Sequence, residues 1–147
     1  MRVTGPRTLT VEGPDAHGRK LFIGIPYESS YTFSTFAIRE GDSKGNAVTT
    51  GRLQLRRLTL NCSNTGFLHM HVTPKFRPTS TYTFTGRELG HGTNIIGAIP
   101  LYTGTINFPI LSLNTQVEVK VGSDSFLPFA LVNASWEGFY NTRNARV

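Results

Sequence analysis

Two histidines separated by one residue are the first candidate for chemistry in this chain. The run His69-Met70-His71 places both imidazoles on one face of a strand, at a spacing that two ligands of one metal ion can use. A third ligand would have to come from His17, His91 or a carboxylate, and no spacing in the sequence supplies it. We therefore assign no metal site and keep His69 and His71 as candidates. The alternative interpretation is a histidine pair that faces solvent or an interface.

The sequence patterns for serine hydrolysis and for carboxylate catalysis are no stronger than the histidine pair. No Gly-x-Ser-x-Gly motif is present, and Asp124 between Ser123 and Ser125 is typical of a turn before a strand. Glu88 and Glu137 form a catalytic pair only if the fold brings them to the separation that glycoside hydrolysis needs. No Gly-x-x-x-x-Gly-Lys phosphate loop occurs. The sequence predicts a protein that is not an enzyme, with no catalytic residues and no cofactor.

The composition is that of a small all-β domain. With 147 residues the chain can bury a hydrophobic core without disulfides or metal ions to stabilise it. Its 15 glycines and 8 prolines are typical of many short strands joined by turns. Long windows of helix-forming residues are absent. We predict one domain over residues 1–147, with residues 1–20 and 141–147 as candidate peripheral arms.

Charge and cysteine usage restrict the partners. The formal net charge is +6, and the basic residues are scattered apart from two groups, Arg52, Arg56 and Arg57, and Arg143 and Arg146. Scattered charge favours a solvated or protein-contacting surface over a dedicated nucleic-acid site. Cys62 is the only cysteine, so no disulfide forms within the chain and folding in a reducing cytosol is favoured. The sequence has no 18-residue apolar run and no signal-peptide pattern, which predicts no membrane insertion.

One predicted strand, over residues 52–62, has an irregular pattern. Leu53 and Leu55 share one side-chain parity, whereas Leu58 begins a run on the other parity. One extra residue at positions 56–57 would return these leucines to a single face. We therefore predict a β-bulge there.

The other segments alternate more regularly. Residues 63–66 are typical of a hairpin turn that would pair residues 52–62 with residues 67–73, whose Leu68, Met70 and Val72 would face the core. The last strand is apolar on both faces and holds Trp136, which predicts a central strand. Further strands are predicted at residues 7–12, 20–25, 27–38 with a bend near Thr35, 81–85, 103–110 ending at Pro109, and 116–121.

These eight or nine strands predict an antiparallel β-sandwich or a jelly-roll-like fold. The glycine-rich stretch 86–100 has no period and is predicted to be a long loop that makes contacts. The tyrosines and phenylalanines could instead form a stacking platform for sugars, which makes a carbohydrate-binding module for host attachment the alternative function. The aromatic residues to check for exposure are Phe67, Tyr82, Tyr102 and Tyr140. A metal-dependent hydrolase using His69 and His71 is a third hypothesis.

Several stretches occur in the order found in one known family. They are Gly51-Arg52-Leu53-Gln54-Leu55-Arg56, Tyr82-Thr83-Phe84-Thr85-Gly86-Arg87, Thr103-Gly104-Thr105 with Phe108-Pro109-Ile110, Asp124-Ser125-Phe126-Leu127-Pro128, and Ser135-Trp136-Glu137-Gly138-Phe139-Tyr140 followed by Arg143 and Arg146-Val147. Together they resemble the C-terminal portion of tail tubular protein B, the nozzle protein of short-tailed bacteriophages (podoviruses). The resemblance covers the chain from about Leu21 onward.

The resemblance implies a structural protein of the virion tail that is made in the host bacterial cytoplasm. It implies a homo-oligomeric ring at the distal end of the tail, with DNA only as passing cargo. The implied neighbours are the adaptor ring, or tail tubular protein A, and tail fibres or spikes. The family pattern carries no catalytic residues. For contacts with partners we predict Arg87, Glu88 and His91 of the long loop and Arg143 and Arg146 near the C-terminus.

Overall fold

The structure is a computed structural model, and it describes residues 2–5, 8–10, 22–39, 45–48, 51–90, 92, 94–95 and 97–142. The described residues contain nine β-strands and one turn of 3-10 helix at Asn114–Gln116. The strands are β1 (Arg2–Gly5), β2 (Thr8–Thr10), β3 (Ser29–Thr32), β4 (Arg52–Thr65), β5 (Leu68–Pro74), β6 (Ser80–Phe84), β7 (Tyr102–Leu113), β8 (Val117–Ser123) and β9 (Leu131–Asn141).

Two antiparallel sheets enclose one core. The first sheet has the order β3-β8-β5-β6 and the second has the order β7-β4-β9, while β1 and β2 form a separate antiparallel pair. Buried side chains from both larger sheets form one hydrophobic cluster, which therefore lies between them. Its members are Leu53, Leu55, Leu58, Leu60, Cys62, Leu68, Met70, Val72, Phe108, Ile110, Val119 and Val121. The all-β prediction is confirmed, and the arrangement is a β-sandwich.

The predicted bulge in β4 is confirmed. The register of β4 shifts just after Leu55 in its pairing with both neighbouring strands. From Leu55 to Leu58, β4 advances three residues while its partner β9 advances only from Gly138 to Trp136. Arg56 is the additional residue, and Leu55 and Leu58 are both fully buried on either side of it.

The predicted hairpin between β4 and β5 is wrong, because these strands lie in different sheets. The chain crosses from one sheet to the other at residues 66–67, and the segment before β9 bonds to the main chain at the end of β4. The amides of Ser63 and Gly66 donate to the carbonyls of Ala130 and Pro128, at 3.0 and 2.9 Å. The buried Thr65 hydroxyl also bonds to the main chain of Ala130. A local turn pattern does not reveal this distant partner.

The prediction that the last strand is central is also wrong. β4 is the central strand of its sheet, and among the described strands β9 pairs with β4 alone. Trp136 is half-buried, packs against the core and lies 6.1 Å from the Phe36 ring. β9 also leaves apolar side chains open: Phe139 is 60% exposed, and Val132, the extra residue of β9 between the pairs Asn61–Asn133 and Cys62–Leu131, is 66% exposed.

Residues 22–28 do not form the strand predicted at residues 20–25, of which residues 20–21 lie outside the described part. Ile23 and Ile25 are exposed, although their alternation is typical of a covered strand. The segment runs beside the turn before β9, where the Tyr27 hydroxyl donates to the Leu127 carbonyl at 3.0 Å. Alternation reports which side chains share a face but not whether a neighbour covers it.

The strand predicted at residues 27–38 is limited to β3, which ends at Thr32 rather than bending near Thr35. Phe33, Phe36 and Ile38 reach the core from irregular backbone, which explains the change of parity in the sequence.

β7 also differs from its prediction, because it continues through Pro109 to Leu113. β7 is an edge strand, where a residue without an N–H group is tolerated. The alternation predicted for β5 and β8 is confirmed: Leu68, Met70 and Val72 are buried, as are Val119 and Val121.

Candidate interaction surfaces

The two candidate histidines lie on the outer face of the four-stranded sheet. Their ring centroids are 4.8 Å apart. His69 Nδ1 is 3.8 Å from a carboxylate oxygen of Asp124, and His71 Nδ1 is 3.0 Å from the Thr81 hydroxyl. Lys120 lies directly opposite His71 in the β5–β8 register. A cation at that position disfavours a second cation between the rings.

The surroundings of His69 depress its basicity. Its side chain is only 18% exposed. Burial lowers the pKa of His69 and the neighbouring His71 lowers it further, whereas Asp124 acts in the opposite direction. Within the described ranges, no three side chains of the histidine, cysteine, aspartate and glutamate types come together as a metal site. The structure thus places His69 and His71 side by side but brings no third ligand to them.

The loop predicted at residues 86–100 has a tight neck and an apolar surface. Gly86 is buried at φ +68°, and a Cβ atom there would lie 2.6 Å from the Pro100 carbonyl oxygen. Arg87 and Glu88 are exposed, and the Asn94 side chain donates to the Glu88 carbonyl. Leu89 and Ile95 are 103% and 67% exposed. Charged and apolar side chains that stand in solvent on an anchored loop are suited to contact with another protein.

Arg87 and Glu88 are therefore accessible, as their assignment to an interface requires. His91, Arg143 and Arg146 lie outside the described residues. Their assignment to an interface stays a prediction.

β9 offers a second surface, which the sequence analysis missed. Its 11 residues form a sheet edge without lysine or proline, and its one charged residue, Glu137, is paired with Arg57 at 2.5 Å (Oε2 to Nε). Edge strands usually carry lysine, proline or an interruption that prevents pairing with another chain. β3 and β6 are short and β7 contains Pro109, whereas β9 has one interruption, an extra residue at Val132, and pairs without a further insertion from Asn133 to Asn141. The sequence contains one signal for this surface, because β9 is apolar at both parities. That pattern alone predicts a strand that is buried on both faces.

The four aromatic residues singled out for exposure lie partly in the structure's interior. Phe67, Tyr82, Tyr102 and Tyr140 are all only partly exposed. Tyr82 packs 6.0 Å from Phe108, and Tyr102 packs 5.1 Å from Phe84. The carbohydrate-binding hypothesis thus stays a prediction, and a glycan array without any bound polysaccharide would reject it.

One hollow in the described part of the chain has a volume of about 390 Å³. Its lining includes the apolar residues Ile38, Val48 and Leu53 and two residues with hydroxyl groups, Thr115 and Tyr140. No carboxylate, histidine or cysteine is among the described residues that line it. Among the described residues the hollow therefore brings no carboxylate, imidazole or thiol to a bound molecule.

Comparison with known proteins gives one consistent result. The sequence matches the family model described as bacteriophage nozzle protein over residues 2–147. It is also 33% identical over 132 residues to the tail tubular protein gp12 of Escherichia phage T7, which covers 88% of this chain and 16% of that protein. The chain thus spans about a sixth of the length of this relative. None of the described helical residues builds a helix that could cross a membrane.

Proposed function

The chain belongs to the bacteriophage nozzle protein family, and on that premise we propose that it acts by assembly within the phage tail and not by catalysis. Its role is structural, and its place is the tail of the virion. The observation that carries the proposal is the family match over residues 2–147, which includes both sheets of the sandwich.

The finer role is that of a module in a ring around the channel through which DNA leaves. In this role several copies assemble, DNA passes through without a dedicated binding site, and the neighbours are an adaptor ring of the tail tubular protein A type and fibres or spikes. The contact residues are Arg87, Glu88, His91, Arg143 and Arg146. The exposed loop at residues 86–100 supports contact with another protein.

The open edge of β9 supports assembly in a second way. The regular part of an edge strand can add a strand from another chain through main-chain hydrogen bonds, while exposed side chains such as Val132 and Phe139 select the partner. Both sheets are fixed to one buried core, so the edge is held on a rigid element.

Sedimentation of the purified chain, alone and with isolated tail proteins, tests this role. We expect self-association or co-sedimentation with a tail component, and Val132→Lys should weaken it because a lysine on an edge strand opposes strand addition. Gln116→Lys, at an exposed position of the 3-10 helix, is the matched control and should behave like the unmodified chain. A strict monomer that binds no tail component would contradict the proposal.

A further inference from the structure

Leu111 has an unusual backbone for an exposed residue of its type. Its φ angle is +51° and its side chain is 59% exposed on the outside of β7. The left-handed region is disfavoured for residues with a Cβ atom, and a leucine gains no local hydrogen bond there as asparagine does. An exposed leucine held in this conformation calls for a local explanation.

The irregular pairing of β4 and β7 explains the conformation. Between the pairs Leu58–Phe108 and Leu55–Ser112, β7 uses one residue more than β4. The Leu111 carbonyl then accepts a hydrogen bond from Arg77 Nη2 at 3.1 Å. The backbone at Leu111 is therefore anchored from outside its own sheet, with the side chain directed away from the core.

Two shallow hollows border Leu111. The first, of about 230 Å³, is lined by Arg56, Arg57 and Pro109 among others. The second, of about 220 Å³, is lined by Arg77 with Pro78, Tyr82 and further apolar neighbours. Leu111 belongs to the lining of both, so it forms the ridge between them.

The charge around this ridge is positive. Arg57 is paired with Glu137, whereas Arg56 and Arg77 are exposed and have no carboxylate partner within the described part of the chain. We call Leu111 together with Arg56, Arg57 and Arg77 the arginine–leucine ridge. Arginine next to an accessible apolar side chain is the combination that protein interfaces favour.

We propose that the arginine–leucine ridge is a docking surface for an acidic protein segment that carries an apolar side chain between carboxylates. The apolar side chain packs beside Leu111, and the carboxylates take the free donors of Arg56 and Arg77. A nucleic acid matches the charge but offers phosphates where Leu111 and Pro109 need an apolar neighbour. At this surface a second copy is a poorer match, because it would have to bring a carboxylate-rich segment from a chain with only 9 acidic against 15 basic residues. The inference rests on the proposed role in assembly for its biological meaning, and it gives the chemistry of one partner.

Fluorescence anisotropy with a labelled peptide of glutamates and leucines, at low ionic strength, tests the proposal. The unmodified chain should bind this peptide and should not bind the same peptide with glutamine at every glutamate. Leu111→Asn should lower the affinity about fivefold or more, since asparagine accepts the left-handed backbone but removes the apolar contact. Arg56→Gln should also lower it, whereas Arg52→Gln should change it less than about twofold. Arg52 is a fair control because it is exposed at the start of β4 and lines neither of the two hollows.

The unfolding midpoint of Leu111→Asn separates lost binding from lost folding, and it should equal or exceed that of the unmodified chain. Binding of the glutamine peptide with equal affinity, or an unchanged affinity of Leu111→Asn, would overturn the proposal. So would the absence of binding, or a preference for a duplex DNA oligonucleotide that the same substitutions abolish. Sedimentation keeps the two proposals distinct, because an unmodified chain that self-associates or binds a tail component but does not bind the peptide refutes only the ridge.

Discussion

At the scale of single residues, two loop glycines with the same backbone should respond differently to substitution. Gly86 and Gly90 both have left-handed backbones, with φ of +68° and +82°. A Cβ atom at Gly86 would meet the carbonyls of Pro100 and Gly66 at 2.6 and 3.0 Å, whereas none of the described atoms lies within 4 Å at Gly90. Gly90→Ala should lower the free energy of unfolding by about 1 kcal/mol from backbone strain alone.

Gly86→Ala adds a main-chain clash to this strain and should cost about 2 kcal/mol more. Urea denaturation of both variants measures the difference. Equal losses in the free energy of unfolding would contradict this, because they would show that the backbone around Gly86 and Pro100 moves to accept a Cβ atom at little cost.

His69 should make stability depend on pH. Burial and the neighbouring His71 lower its pKa in the folded protein, while an unfolded histidine has a pKa of about 6.5. Below that pH the unfolded chain takes up a proton that the folded chain resists, so the free energy of unfolding falls as the pH falls. The contribution of His69 to the free energy of unfolding is complete above about pH 6.5. Below that pH the free energy of unfolding falls by no more than about 1.4 kcal/mol per pH unit. His69→Gln should remove this slope in denaturation measured from about pH 7.5 to about pH 5.

Two neighbours of His69 should change the same slope in opposite directions. Asp124→Asn removes the carboxylate that raises the pKa of His69, so the slope should steepen. His71→Gln removes a charge that lowers this pKa, so the slope should flatten. Slopes that stay the same in both variants would show that the cluster does not control the titration of His69.

At the scale of elements, the extra residue of β4 sets the register of the whole sheet. Deletion of Arg56 would move either Leu53 and Leu55 or Leu58 and Leu60 from the core to the outer face, because strand parity has a period of two. We expect the deletion variant to lose cooperative unfolding. Arg56→Ala keeps the residue count, and since its side chain is exposed it should stay within about 0.5 kcal/mol of the unmodified chain. Circular dichroism with thermal unfolding compares the two.

The elements that sequence could predict are those whose signal is local. The parity change in β4 and the clean alternation in β5 and β8 report directly which side chains face the core, and all three were predicted correctly. Pairing partners are different, because they depend on distant residues. Ser63 and Gly66 bond to Ala130 and Pro128, and no pattern at residues 63–66 indicates this. The predicted hairpin failed for that reason.

The interaction surfaces show the same limit. Arg87 and Glu88 could be predicted as accessible because glycine-rich loops stand at the surface. The ridge at Leu111 could not, because its conformation follows from the different residue counts of β4 and β7 between their pairs. The sequence of β9 is apolar at both parities, but this pattern does not distinguish a strand face that is buried from one that is exposed to solvent.

At the scale of the whole molecule, the sandwich is a rigid support for several open surfaces. Its core is continuous between the sheets, and the described side chains buried in it are nearly all apolar. Outside the core lie the open edge of β9, the 86–100 loop and the arginine–leucine ridge, each of which presents exposed apolar side chains. A module of this kind contributes through the contacts it makes, which agrees with a structural part in the phage tail.

Quantitative peptide mass spectrometry of purified, DNA-free phage tails tests the central claim most directly. If the chain is an assembly module of the tail, its peptides should be present in several copies per tail and in a fixed ratio to the other tail proteins, as a ring requires. The absence of its peptides from intact tails, with the chain found only free in the lysate, would contradict the account.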